Sequence, residues 1–278
     1  MLSKPIKSFV FSLFIAVTVF ADSQPCDILN RVVVTGASVS SGFGVTTPPI
    51  KGDLGAYPIN MKHIMEGVIT SDHKDVKFFG DLLFFKRSRE NAKSYIKKIK
   101  EYNPTLIVAV DFLFWFGHGT PPDGNDISTY RMEKVNFALD LLGELDVPII
   151  VGNLPNVRQA IGKMLSANQV PTSETLEKLN ERIRVWGEEH PNVTIVDVFD
   201  LSNKLMNDEA ITFLGHTWPA GSKAKLLQQD MLHTTFEGTV AASMMVAEEI
   251  NVGCIETDPK LIMKNASATA RKEANRKE

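Results

Sequence analysis

Val32-Val33-Val34-Thr35-Gly36-Ala37-Ser38 is a run of β-branched residues that ends in a turn of small ones. A half-exposed strand would alternate apolar with polar residues; a nearly continuous apolar run suits a strand covered on both faces. The strand is bounded at residues 31–35, and four more runs of this kind follow at 76–79, 106–110, 148–151 and 194–198. Amphipathic stretches at helical spacing occupy residues 57–69, 89–102, 129–144 and 173–190, with a last one at 235–250. Thr172 or Ser173 is placed to cap the fourth, with Glu177 in support. Alternating strand and helix predicts the α/β class: a three-layer α/β/α sandwich around a parallel sheet of about five strands. Active sites in such sheets sit beyond the carboxyl ends of the strands, and Ser38 lies just past the end of the first.

The 278 residues suit one large domain, and 44% hydrophobic against 23% charged residues can bury a real core. Residues 1–21 read as a secretory signal peptide, with Lys4 and Lys7 as basic flank, an apolar run over 9–20 and Ala21 at the cut. That run spans roughly 18 Å as a helix, too short for a bilayer core. An uncleaved anchor is the alternative. So is lipid attachment at Cys26, against which Ser23-Gln24-Pro25 lacks the apolar residue such a signal carries. The expected location is secreted or periplasmic. The formal net charge of −3 becomes −5 once Lys4 and Lys7 are removed. No basic stripe points to nucleic acid.

Residues 22–257 then form the folded domain, and 258–278 a charged tail rich in Lys, Ala, Asn and Glu, read as a solvated helix or disorder. The two cysteines, Cys26 and Cys254, flank the domain. They close its ends as a disulfide in an oxidising compartment, or stay as two separate thiols. Three segments fit no simple connection: 112–128, 153–171 and 200–229. Long structured loops are often functional.

The chemistry concentrates at the two ends. Ser38 follows the first strand, and Asp230-Met231-Leu232-His233 sets a carboxylate three residues before an imidazole. A serine hydroxyl needs an adjacent base, and the base needs a partner to hold its tautomer. Taken singly, Ser38 reads as a helix cap, and Asp230 with His233 as a cap beside a surface histidine.

Together these blocks resemble the SGNH/GDSL hydrolase family. Gly36-Ala37-Ser38-Val39-Ser40-Ser41-Gly42 is similar to its first block, with Ala37 where aspartate is usual. Asp230-Met231-Leu232-His233-Thr234-Thr235-Phe236-Glu237-Gly238 is similar to its last. The resemblance implies a flavodoxin-like sandwich and a serine esterase with Ser38 as nucleophile, His233 as base and Asp230 as its partner. It implies no cofactor and no metal, and a lipid or acylated glycan ester as substrate. Gly80 stands where the second block supplies an oxyanion N–H. The third block departs: its usual asparagine is missing after the third strand, where Val110-Asp111-Phe112 stands. An ionised carboxylate cannot donate to an oxyanion, so Asp111 is read as an anchor for the adjacent loop. Asn153, a backbone N–H near Phe114, or slow turnover remain as ways round the gap; Asn153 also reads as a turn residue before Pro155.

The run Phe112-Leu113-Phe114-Trp115-Phe116 reads as core or as an acyl pocket, with Trp115 and Phe116 as best placed for the second role. His118 and His216 lack partners at metal-ligand spacing. Arg158 reads as a solvated loop residue or a contact for an anionic substrate group. Acyl transfer by the same triad, a binding protein that has lost efficient catalysis, and a nucleotide or flavin domain are the rivals. The last lacks Gly-x-Gly-x-x-Gly in its first turn.

Overall fold

The computed structural model describes residues 26–122 and 126–276; the signal-peptide reading lies outside them. Five strands form one parallel sheet: β1 Val32–Gly36, β2 Lys77–Gly80, β3 Leu106–Ala109, β4 Ile149–Gly152 and β5 Val193–Val196. Their order is β2-β1-β3-β4-β5. That is the flavodoxin-like order, whose direction of winding reverses between β1 and β3. Ser38 leaves one side of this switch point and Asp111 the other. The fold class read from the sequence is the one observed.

Side chains of successive strand residues point to opposite faces, and the two faces are filled by different helices. Val33, Ile107, Ala109, Ile149 and Val151 pack with helices α2 (Ser88–Tyr102), α4 (Ile127–Gly143) and α5 (Ser173–Glu189). Val32, Val34, Val108, Ile150 and Val196 pack instead with α1 (Met61–Val68) and α8 (Phe236–Ile250). The helix starts follow local chemistry. Asn60, Thr172 and Thr235 each accept a backbone N–H from the residue three further on, at α1, α5 and α8. Asn103 and Asn251 close α2 and α8 in the left-handed region, φ 53° and 50°.

The long segments carry structure that periodicity did not reveal. Segment 112–128 contains the short helix α3 (Phe114–Gly117). The fifth strand stops at Val196, because Asp197 turns to cap α6 (Val198–Met206) by accepting the N–H of Asp200. A hairpin of β6 (Ile211–Phe213) and β7 (His216–Trp218) and the helix α7 (Lys223–Leu226) complete the segment before the His233 loop.

Of the two readings of the C-terminal stretch, the helix is the one observed, but it is docked on the domain rather than solvated. It forms α9 (Pro259–Ala274), docked on α1 with Ile262, Ala266 and Ala270 buried. Gly67 permits the approach, since a Cβ there would lie 2.7 Å from the carbonyl oxygen of Ile262. Glu273 accepts from Lys62 at 2.5 Å and meets His63 at 3.1 Å. The charged residues gave the segment a polar average, while small residues formed the buried stripe. Cys26 and Cys254 are joined as a disulfide that ties the start of the domain to the segment after α8. Among the described residues no helix is long and apolar enough to cross a membrane.

Candidate active site

Ser38 and His233 lie 195 residues apart in sequence and meet at the sheet's carboxyl edge. His233 Nε2 is 3.0 Å from Ser38 Oγ, and His233 Nδ1 is 2.6 Å from Asp230 Oδ2. Both Ser38 and His233 are buried. With Nδ1 protonated and donating to Asp230, Nε2 is left as the acceptor for the serine hydroxyl proton.

The loop carrying Asp230 and His233 is built locally. Asp230 Oδ1 accepts the N–H groups of Leu232 at 2.9 Å and His233 at 3.0 Å. Met231, between them, takes φ 58° so that the chain can fold back on its own carboxylate. Burial acts to raise the Asp230 carboxyl, but the bonds from the His233 ring and the two N–H groups outweigh it and hold the acid below its ordinary range. Gly238, in the first turn of α8, lies against α7: a Cβ there would fall 1.9 Å from the carbonyl oxygen of Leu226. This is the physical reason for the glycine five residues after the histidine.

Asp111 organises the serine turn. Its Oδ1 accepts the N–H of Ala37 at 3.0 Å and the hydroxyl of Ser40 at 2.5 Å. Its Oδ2 accepts the N–H groups of Val39 at 2.8 Å and Ser40 at 3.2 Å. Burial pushes the Asp111 carboxyl upward, against the pull of all four donors. Gly36 makes the approach possible, since a Cβ there would lie 2.0 Å from Asp111 Oδ1. Of the four successive N–H groups from Ala37 to Ser40, three point at Asp111. The N–H of Ser38 has no acceptor among the described residues.

Two residues outside the sequence reading close the site. Phe43 stacks on the His233 ring, with centroids 4.2 Å apart and planes at 27°. Gln228 Nε2 donates to the carbonyl oxygens of Phe43 at 2.6 Å and Thr234 at 2.8 Å, stitching the serine loop to the histidine loop. Neither residue type at that spacing carries a motif, so only the three-dimensional contact reveals them.

The remaining predicted residues fall differently. Gly80 ends β2 in register with Gly36 and is not among the residues lining the cleft beside Ser38. Asn153 does line that cleft, but its amide is engaged with the start of α6: Nδ2 donates to Asp197 at 2.8 Å and Oδ1 accepts the N–H of Phe199 at 2.7 Å. The Phe114 N–H is also used, by the carbonyl oxygen of Asp111 at 3.2 Å. Phe116 is core, and Trp115 packs against Phe85 away from the cleft; the aromatic residue that faces the cleft is Phe114. The sequence favoured Trp115 and Phe116 because they lie farther along the loop, but the single turn of α3 folds them back. Buried His118 stacks on Phe114, and its burial drives the ring pKa down to about 3. Arg158 is exposed and outside the cleft. Among the described residues no group of three or more His, Cys, Asp or Glu is arranged to hold a metal ion.

No family model matches the sequence, and no curated protein matches it. Among solved structures, the chain is similar to a gut microbial diltiazem-metabolizing enzyme, at 12% identity and TM-score 0.48. That match covers 79% of this chain and 46% of the other, so this chain spans less than half of that enzyme's length. It is also similar to a chain from Bacteroides fragilis provisionally described as an acylhydrolase, at 14% identity and TM-score 0.48, over 82% of this chain and 92% of that one. At these values neither likeness assigns a chemistry, and the chemical argument rests on the geometry of the site itself.

Proposed function

We propose that this chain is a serine hydrolase of carboxylic esters, of the SGNH type, that works in a secreted or periplasmic setting. The observation that carries the reading is the unbroken Asp230–His233–Ser38 hydrogen-bond chain at a sheet switch point. Ser38 Oγ attacks the ester carbonyl while His233 Nε2 takes its proton, and Asp230 steadies the imidazolium. The tetrahedral oxyanion is held by the free N–H of Ser38. His233 returns the proton to the leaving alkoxide. Water, activated by the same base, then releases the acid and restores Ser38. Asn153 acts as a strut for α6, which lies beside the cleft. The disulfide supports an oxidising compartment.

The test is labelling by a fluorophosphonate probe together with hydrolysis of a nitrophenyl ester series. The wild-type protein should be labelled at Ser38, and Ser38→Ala should lose both labelling and on the order of three decades or more of turnover. Folded wild-type protein that neither labels nor hydrolyses any ester would instead favour a binding protein on this fold.

A further inference from the structure

Resting on that reading, we infer that the cleft beside Ser38 is an acyl slot for neutral acyl groups of about four to six carbons, with α6 as its length-setting wall. The cleft runs from Ser38 between α6 and α8 into the core on that side of the sheet. Its α6 wall is Val198, Leu201 and Leu205, three and four residues apart and therefore on one helix face, with Met206 at the end. Ala242 and Met245 of α8 form the opposite wall. The outward side of α6 carries the Asp200–Lys204 ion pair at 2.7 Å, so the helix presents its apolar face inward.

The polar groups on the lining are already engaged. Asn156 Nδ2 donates to Asn203, Ser202 Oγ donates to the carbonyl oxygen of Phe199, and Gln159 Nε2 reaches the carbonyl oxygen of Met206. Asp111 is the one charged residue on the lining, and its oxygens serve the serine turn. An ionised acyl group would enter without a counter-charge, whereas an alkyl chain loses nothing by leaving water. Size bounds the chain. The cavity holds about 110 Å³. An apolar protein cavity of about 150 Å³ holds one benzene, so this space suits about four to six carbons. Each methylene buried in the transition state is worth about a fourfold gain in kcat/KM.

The experiment compares nitrophenyl esters from acetyl to palmitoyl, with ethyl acetate and ethyl butyrate binding to Ser38→Ala followed by thermal shift. We expect kcat/KM to rise roughly 15-fold from acetyl to butyryl and to level off beyond hexanoyl. A monosuccinyl ester should fall below the butyryl ester. Leu201→Trp should collapse the butyryl-to-acetyl ratio, and Met206→Ala should move the optimum to longer chains. Ethyl butyrate, but not ethyl acetate, should stabilise Ser38→Ala. A maximum at acetyl or at palmitoyl, or an optimum unmoved in both folded α6 variants, overturns the slot. Selective binding of ethyl butyrate that is lost in Leu201→Trp, in a protein that hydrolyses nothing, would uphold the slot and overturn the hydrolase reading.

Discussion

Replacing Asp111 by asparagine tests whether this carboxylate is what shapes the serine turn. Asparagine keeps the shape of the side chain but has one acceptor oxygen. In its better orientation the oxygen takes the place of Oδ2 and accepts from Val39 and Ser40. The amide nitrogen then takes the place of Oδ1 and donates to Ser40 Oγ, which leaves the N–H of Ala37 facing an NH2 group. The opposite orientation leaves two N–H groups so placed. One buried donor without a partner costs about 1–3 kcal/mol. For a chain of this size that lowers Tm by roughly 2–6 °C. The turn must also shift to relieve the contact, and it carries both the nucleophile and the Ser38 N–H. A displacement of about 1 Å in such a group costs on the order of 100-fold in rate. We therefore expect Asp111→Asn to stay folded, to melt lower, and to lose 10- to 100-fold in kcat with little change in KM. Calorimetry and steady-state kinetics on the butyryl ester measure both. A variant with unchanged Tm and unchanged kcat would refute the argument, because the four hydrogen bonds would then carry neither stability nor position.

Asp230→Asn should cut kcat by on the order of 10³–10⁴, since the amide sets the wrong His233 tautomer. Asn153→Ala separates two roles. As a strut it costs stability and leaves kcat within about tenfold, whereas a fall of 10²–10³ in kcat would make it an oxyanion donor. His118, with its pKa driven down to about 3 from 6.5, is neutral when folded and takes a proton when unfolded. Its contribution to stability is therefore full above about pH 6.5 and is lost at up to about 1.4 kcal/mol per pH unit as pH falls toward 3. Buried His63 is shifted the same way and adds to the loss. Urea midpoints at pH 7, 6 and 5 should fall less steeply in His118→Gln than in the wild type; parallel lines would reject this. Serine at both Cys26 and Cys254 opens a closure between residues 228 apart, which costs up to about 5 kcal/mol on the chain-entropy account, read from the urea midpoint.

How much of this was legible follows from the range of the forces involved. The sheet was readable because its three central strands, β1, β3 and β4, are buried on both faces and so almost wholly apolar, and the Asp230–His233 pair because three residues of chain fix its geometry. The α6 helix was not. Its nine residues begin directly from a strand, and its apolar positions merge with the apolar residues of that strand. The docking of α9 was hidden because its buried face carries one large apolar residue, Ile262, among small ones, which give little periodic signal against lysines. Phe43 over His233 and Gln228 between the two loops are contacts across 190 and 185 residues. No local pattern encodes them.

An aspartate at position 111 sets the logic of the proposed site. A side-chain asparagine would donate directly to the oxyanion. Asp111 cannot, but it draws three N–H groups of the serine turn to itself and leaves the fourth, that of Ser38, without an acceptor among the described residues. Ser38 lines the cleft, so this N–H is left available to a reacting ester, whose carbonyl oxygen gains charge as Ser38 attacks. The carboxylate thus acts at one remove: it fixes the turn so that a backbone dipole, rather than a side chain, faces the developing charge. On this account Asp111→Asn and Asp111→Ala should lose activity in proportion to how far the turn relaxes. Asp111→Asn should not gain turnover from its new side-chain donor, because the turn that would present an asparagine to the oxyanion is built around a carboxylate.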